Sequence, residues 1–127
     1  MTVGDEQRLR DLYASFNARD IDAVLAATAA DVDWPNAWEG GRVVGHAAVR
    51  DYWTRQWAQI DPRVEPESIM TRRGGRIAVD VHQVVRDPAG TVIADGHVVH
   101  VYELRDGLVV RMTVEEPPSA AEGVTER

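Results

Sequence analysis

The hydrophobic period of this chain changes once, and that change constrains the fold more than any single motif. Up to about residue 60 the apolar residues recur at helical spacing; after it they form valine-rich runs bounded by turn signals. Residues 5–19 place Leu9, Leu12, Tyr13 and Phe16 on one helical face. Asp20 stands where an N-cap carboxylate accepts from free amides one turn on. Ile21, Val24, Leu25 and Thr28 then form the buried stripe of a short second helix. Residues 46–60 give the clearest helix, with Val49, Tyr52, Trp53, Gln56, Trp57 and Ile60 on one side. Arg50, Asp51, Thr54 and Arg55 lie opposite. Asp61-Pro62 ends it, because proline disfavours helix in the residue before it.

Residues 31–36 read as a short strand that Pro35 confines to an edge or an ending. Residues 39–45 read as a turn-rich link. Strands are expected at 68–72, 76–86, 91–105 and 108–116. Gly74-Gly75, Asp87-Pro-Ala-Gly90 and Asp106-Gly107 supply the turns between them. Pro117-Pro118 stops the last strand, and residues 118–127 read as a polar, frayed tail on a single domain of residues 1–117. Helices first and strands later argue an α+β fold, three N-terminal helices packed on a curved antiparallel sheet, not a parallel doubly wound one. The late strands are apolar on both faces at 98–101 and 108–110, whereas a sheet covered on one side alternates. Helices are expected on one face and a second copy on the other, giving a homodimer with Val99, Val101 and Val109 at its interface.

Charge narrows the partners. The net charge is −7 and every basic residue is arginine, a balance that disfavours nucleic acid. Arg72-Arg73-Gly-Gly-Arg76 reads as a solvated hairpin turn. The absence of cysteine excludes disulfides, thiolate metal sites and a cysteine nucleophile. No apolar stretch is long enough to span a bilayer, and the polar start does not read as a signal peptide, so the expected location is the cytoplasm.

Several short segments, in order and spacing, resemble the NTF2-like superfamily, and within it the SnoaL-like polyketide cyclases and ketosteroid isomerases. They are Ala18-Arg-Asp-Ile-Asp-Ala-Val24, Asp31-Val-Asp-Trp34 and Gly45-His-Ala-Ala-Val-Arg-Asp-Tyr-Trp53. The last two are His100-Val-Tyr-Glu-Leu-Arg-Asp-Gly107 and Val109-Val-Arg-Met112. The resemblance covers nearly the whole chain to about Glu116. It implies a cone-shaped α+β barrel with a ligand pocket between the concave sheet and the helices. By position, Trp34 falls where the isomerases place a general-base aspartate, and His100 where they place a protonated aspartate of the oxyanion hole. Trp53 falls on a pocket tyrosine, and the oxyanion tyrosine aligns nearest Leu12, with Tyr13 beside it. Tryptophan cannot abstract a proton, so the isomerase set is broken at its base. The cyclases carry a histidine and an acid–base aspartate in the last strand. Here that stretch is Arg111-Met-Thr-Val-Glu-Glu116, without histidine.

The candidate site follows. His100 is the candidate catalytic group, since imidazole exchanges protons near neutral pH; a buried histidine with a backbone or tyrosine partner is the other reading. Tyr13, Trp34, Trp53, Tyr102 and Met112 are candidate pocket-lining residues. Glu116, sharing strand parity with Met112, is either a carboxylate at the pocket mouth or a solvated strand end. Trp57 reads as core, and Asp33 as facing away from Trp34. The register of the 76–105 hairpin decides what else meets His100. A bulged three-residue loop would put Asp80 and His82 on its face; a four-residue loop would put Ile77, Val79 and Val81 there. The second gives the more apolar concave face and is the expected one. No metal and no cofactor is expected. Two functions stand: a cofactor-independent acid–base enzyme (cyclase, isomerase, dehydratase or epoxide hydrolase) on a small, largely apolar molecule, and a non-catalytic ligand-binding or dimerisation domain.

Overall fold

A computed structural model of the chain describes residues 3–36 and 39–116. The expectation for the tail lies outside the described residues. Nine elements follow in order: α1 (Val3–Asn17), α2 (Ile21–Ala26), β1 (Thr28–Pro35), β2 (Arg42–Val44), α3 (His46–Gln59), β3 (Asp61–Thr71), β4 (Ile77–Arg86), β5 (Val92–Arg105) and β6 (Leu108–Glu115). The strands form one six-stranded sheet in the order β2-β1-β6-β5-β4-β3. None of the described helices is long and apolar enough to cross a membrane.

Local chemistry explains most boundaries. Asp20 caps α2, its carboxylate accepting from the Ala23 amide at 3.2 Å. The Asp106-Gly107 turn has positive φ at both central residues, 55° and 80°, as a two-residue hairpin with right-handed strands requires. Asp87 accepts from the amides of Ala89 and Thr91 and closes the β4–β5 loop.

The arrangement of the strands corrects the expectations in four places. The sheet is not wholly antiparallel: β1 runs parallel to β6. The first strand starts at Thr28, which is a buried strand residue and not part of the α2 stripe. A short strand, β2, lies inside the supposed link, so β1 is flanked on both sides while Pro35 still marks its end. The strand expected at 68–72 begins at Asp61. Pro62 and Pro66 fit within it because β3 is an edge strand with a ladder on one side only.

Register decides what the helices cover. Val79 sits opposite His100, Ile77 opposite Tyr102 and Val81 opposite Val98, which is the expected pairing. This inner row meets Leu9, Leu12, Val24, Val49 and Trp53 in the main core. Burial of each such aliphatic side chain stabilises the fold by about 1.5–3 kcal/mol. Asp80 and His82 belong to the outer face.

The outer face holds its own buried cluster of Ala78, Val99 and Val101. Arg72, the residue after β3, reaches Glu115 on β6 at 2.9 and 3.0 Å, across the outer side of the intervening strands. Val109 does not belong to this face. The register shifts between Glu103 and Leu104, pairing Leu104 with Val109, so Val109 turns inward and is 2% exposed in the main core.

Trp57 is also corrected. It is only half-buried, packed on the core's margin against Trp53 (5.7 Å between centroids) and under the Arg19 guanidinium at 4.8 Å. Asn17 fastens α1 to the β3 edge, donating to the Val64 carbonyl at 2.7 Å and accepting from its amide at 2.9 Å.

Candidate functional site

A cavity of about 170 Å³ opens between α1, α3 and the inner face of the sheet. Helical spacing brings Tyr13 and Phe16 from α1 and Trp53 and Gln56 from α3 to its helix side. Strand alternation brings Trp34, His100, Tyr102 and Met112 to its sheet side. Val114, 41% exposed, lies on its rim. Of the residues singled out from sequence, His100, Tyr13, Trp34, Trp53, Tyr102 and Met112 all border this one space. Glu116 does not. It is exposed, beyond the last residue of β6, because pairing stops at Glu115 and strand parity no longer aims the side chain. Asp33 lies on the other side of β1 from Trp34, held by Arg42 and by Arg111 at 2.6 Å.

The walls are aromatic. Trp34 and Trp53 meet edge to face at 5.5 Å and 88°. Phe16 packs edgewise on Trp53 at 5.6 Å, and Trp34 lies 6.3 Å from Tyr102.

The polar centre is a chain of three side chains. Tyr102 donates its hydroxyl proton to the Tyr13 oxygen at 2.8 Å, and the Tyr13 hydroxyl lies 2.7 Å from His100 Nδ1. Burial pushes the His100 imidazole down from 6.5 to about 4, so it is neutral near pH 7. Burial likewise raises both tyrosines well above 10, keeping them protonated. One tautomer places both hydroxyl protons of the chain in hydrogen bonds. Tyr102 donates to Tyr13, Tyr13 donates to Nδ1, and the imidazole carries its own proton on Nε2. Nε2 is then a donor that the Tyr13 contact leaves uncommitted. Among the described residues no carboxylate and no arginine lines the cavity. The arrangement therefore offers hydrogen-bond donation in an apolar enclosure, without a built-in carboxylate base.

Sequence reasoning missed two polar lining residues, Gln56 and Gln83. Gln56 was read as part of the packed stripe; it donates to the Tyr52 hydroxyl at 3.1 Å. Gln83 continues the inward row of Ile77, Val79 and Val81, so strand parity alone could have found it.

The sequence model of the SnoaL-like domain matches residues 9–112, most of the chain and nearly all of the cavity. The chain belongs to the SnoaL-like domain family. Among solved structures, this SnoaL-like domain is similar to TerC crystallised with polyporic acid, at 25% identity and a TM-score of 0.77, covering 98% of this chain and 99% of that one. It is similar to an NTF2-like protein of unknown function from Burkholderia pseudomallei, at 26% identity and 0.78, covering 99% and 100%. It also shares its fold with RV0760c from Mycobacterium tuberculosis, solved with estradiol-17β-hemisuccinate, at 19% identity and 0.75, covering 89% and 93%. No curated protein gave a match. The α+β architecture and curved six-stranded sheet of this SnoaL-like domain are those of its NTF2-like neighbours.

Proposed function

We propose that this SnoaL-like domain binds a small, ring-bearing, largely apolar organic molecule, and that His100 Nε2–H engages an oxygen of that molecule. The observation that carries the reading is the chain from Tyr102 through Tyr13 to His100, set into a cavity walled by Trp34 and Trp53. A neutral donor backed by two hydroxyls polarises a carbonyl or phenol oxygen without placing a full charge in the pocket. The volume of about 170 Å³ is close to the roughly 150 Å³ that takes up benzene in an engineered cavity, so one ring is enclosed and the rest passes the Val114 rim. That TerC crystallises with polyporic acid supports this ligand class.

A second reading has the same chain performing cofactor-free acid–base chemistry: cyclisation, isomerisation, dehydration or epoxide opening. The His100–Tyr13 hydrogen bond favours it, because it gives the imidazole a neighbour with which to exchange a proton. Titration with small cyclic ketones and phenols, read by tryptophan fluorescence and paired with product analysis, tests both. Ligand should quench the indoles, and His100→Gln should weaken oxygen-bearing ligands about tenfold while sparing hydrocarbon analogues, as expected for one lost hydrogen bond. Turnover abolished in His100→Gln with affinity kept would favour the enzyme. No binding of any such compound would refute both. We further propose that two copies pair through the end of the sheet's outer face where Met70, 62% exposed, extends the Ala78–Val101 cluster, clear of the His82–His97 pair further along the same strands.

A further inference from the structure

The outer face carries a second group of side chains, separate from the cavity. Glu65, His82 and His97 stand in register across β3, β4 and β5. The imidazoles of His82 and His97 stack with centroids 4.8 Å apart and planes 17° apart. Glu65 is occupied by Arg63 at 2.9 Å. Its place is taken by Glu67, because the β3 register shifts between Pro66 and Ser68 and leaves Glu67 outside the regular pairing. The Glu67 carboxylate lies 3.3 Å from His97 Nε2. On the other side Asp95 holds His82 Nε2 at 2.6 Å. The donor atoms of Glu67, His82 and His97 all lie within 4.8 Å of one another, and the three side chains are half-buried to exposed.

We propose that Glu67, His82 and His97 bind a divalent transition cation of the zinc class on this face. The donor set is two imidazoles and one carboxylate, which suits Zn²⁺ and leaves a fourth corner for water. With bonds of about 2.0–2.1 Å, the edge of a tetrahedral site is about 3.3–3.4 Å. The His97 Nε2 to Glu67 separation of 3.3 Å already has that length. Bringing in His82 needs side-chain adjustment on an accessible surface, from a spread of at most 4.8 Å. Asp95 serves as the positioning residue: accepting from His82 Nε2–H, it turns Nδ1 toward the cation and makes it more basic. The net charge of −7 adds attraction for a cation.

The test is isothermal titration of the untagged full chain with zinc chloride near pH 7.5, repeated on His82→Asn and His97→Asn. The wild-type chain should take up one Zn²⁺ per chain. Each variant should lose at least the roughly 10–100-fold that removing even an outer-shell partner costs. All three side chains are partly or fully exposed, so far-UV circular dichroism should be unchanged. Asp95→Asn should give a smaller weakening than either histidine change. Zn²⁺ uptake equal in the wild type and both histidine variants, or none at millimolar zinc, would overturn the proposal.

Discussion

Lowering the pH should destabilise this protein through His100 by an amount that can be isolated. The imidazole is pushed from 6.5 to about 4 by burial, with Tyr13 and Tyr102 as its hydrogen-bonded neighbours and no charged group lining its cavity among the described residues. Between those values the unfolded chain carries a proton that the folded chain refuses. Stability from the neutral histidine is therefore complete above about pH 6.5, falls as the pH drops, and is gone below about pH 4. The gap from 6.5 to about 4 corresponds to about 3 kcal/mol, of which about 2 kcal/mol is lost by pH 5. The geometry gives the reason. In the neutral state two contacts use both hydroxyl protons; a proton added at Nδ1 brings a third donor to the same two contacts, and buries a charge. Urea denaturation of wild type and His100→Gln at several pH values reads the effect as a difference, so carboxylates and the surface histidines cancel. The stability difference between the two proteins should shift by about 2 kcal/mol in favour of the variant from pH 7 to pH 5. A difference independent of pH would refute the assignment of a neutral, buried His100.

Two further outcomes follow from packing. Trp57→Ala should destabilise by about 2 kcal/mol, below the roughly 3–5 kcal/mol of a fully buried tryptophan, because the side chain is only half-buried; thermal denaturation measures it. Trp57→Phe should lie within about 1 kcal/mol of the wild type in the same assay, since it keeps an aromatic ring against Trp53 and Phe16. It also deletes an indole N–H that is buried with no hydrogen-bond partner among the described residues.

The readable parts of this fold are those governed by short-range rules. Asp20, Asp87 and Asp106-Gly107 announce a cap and two turns by their own chemistry, and the structure uses them so. The facing of His100 and Tyr102 followed from alternation, because only one register gives them the apolar partners Val79 and Ile77. What failed depends on contacts between distant segments. The parallel pairing of β1 with β6 joins Thr28 to Val109, and no local signal specifies it. Val109 was misplaced because alternation was carried through a bulge, and Glu116 because it was carried past the end of pairing. The Tyr13–His100 bond spans 87 positions. The helical face put Tyr13 inward, but which sheet residue it meets depends on how α1 lies across the sheet.

The character of the cavity rests on one alternation in β1. Asp33 and Trp34 are neighbours in sequence and point to opposite faces of the sheet. The carboxylate faces out to Arg42 and Arg111, where its charge is compensated. The indole faces in, where it meets Trp53 and Tyr102. A strand slipped by one residue would exchange them, giving a carboxylate inside and an exposed indole, and would take Asp33 from both arginines, leaving Arg111 only Glu103 at 4.0 Å. Those ion pairs therefore hold the register that keeps charge out of the pocket. With a tryptophan where the isomerases it resembles place a base, the polar functions at the centre of the cavity are a neutral imidazole and two phenols held protonated by burial. Among the described residues the cavity offers no counter-charge to an ion, so burying an unpaired charge there costs desolvation energy.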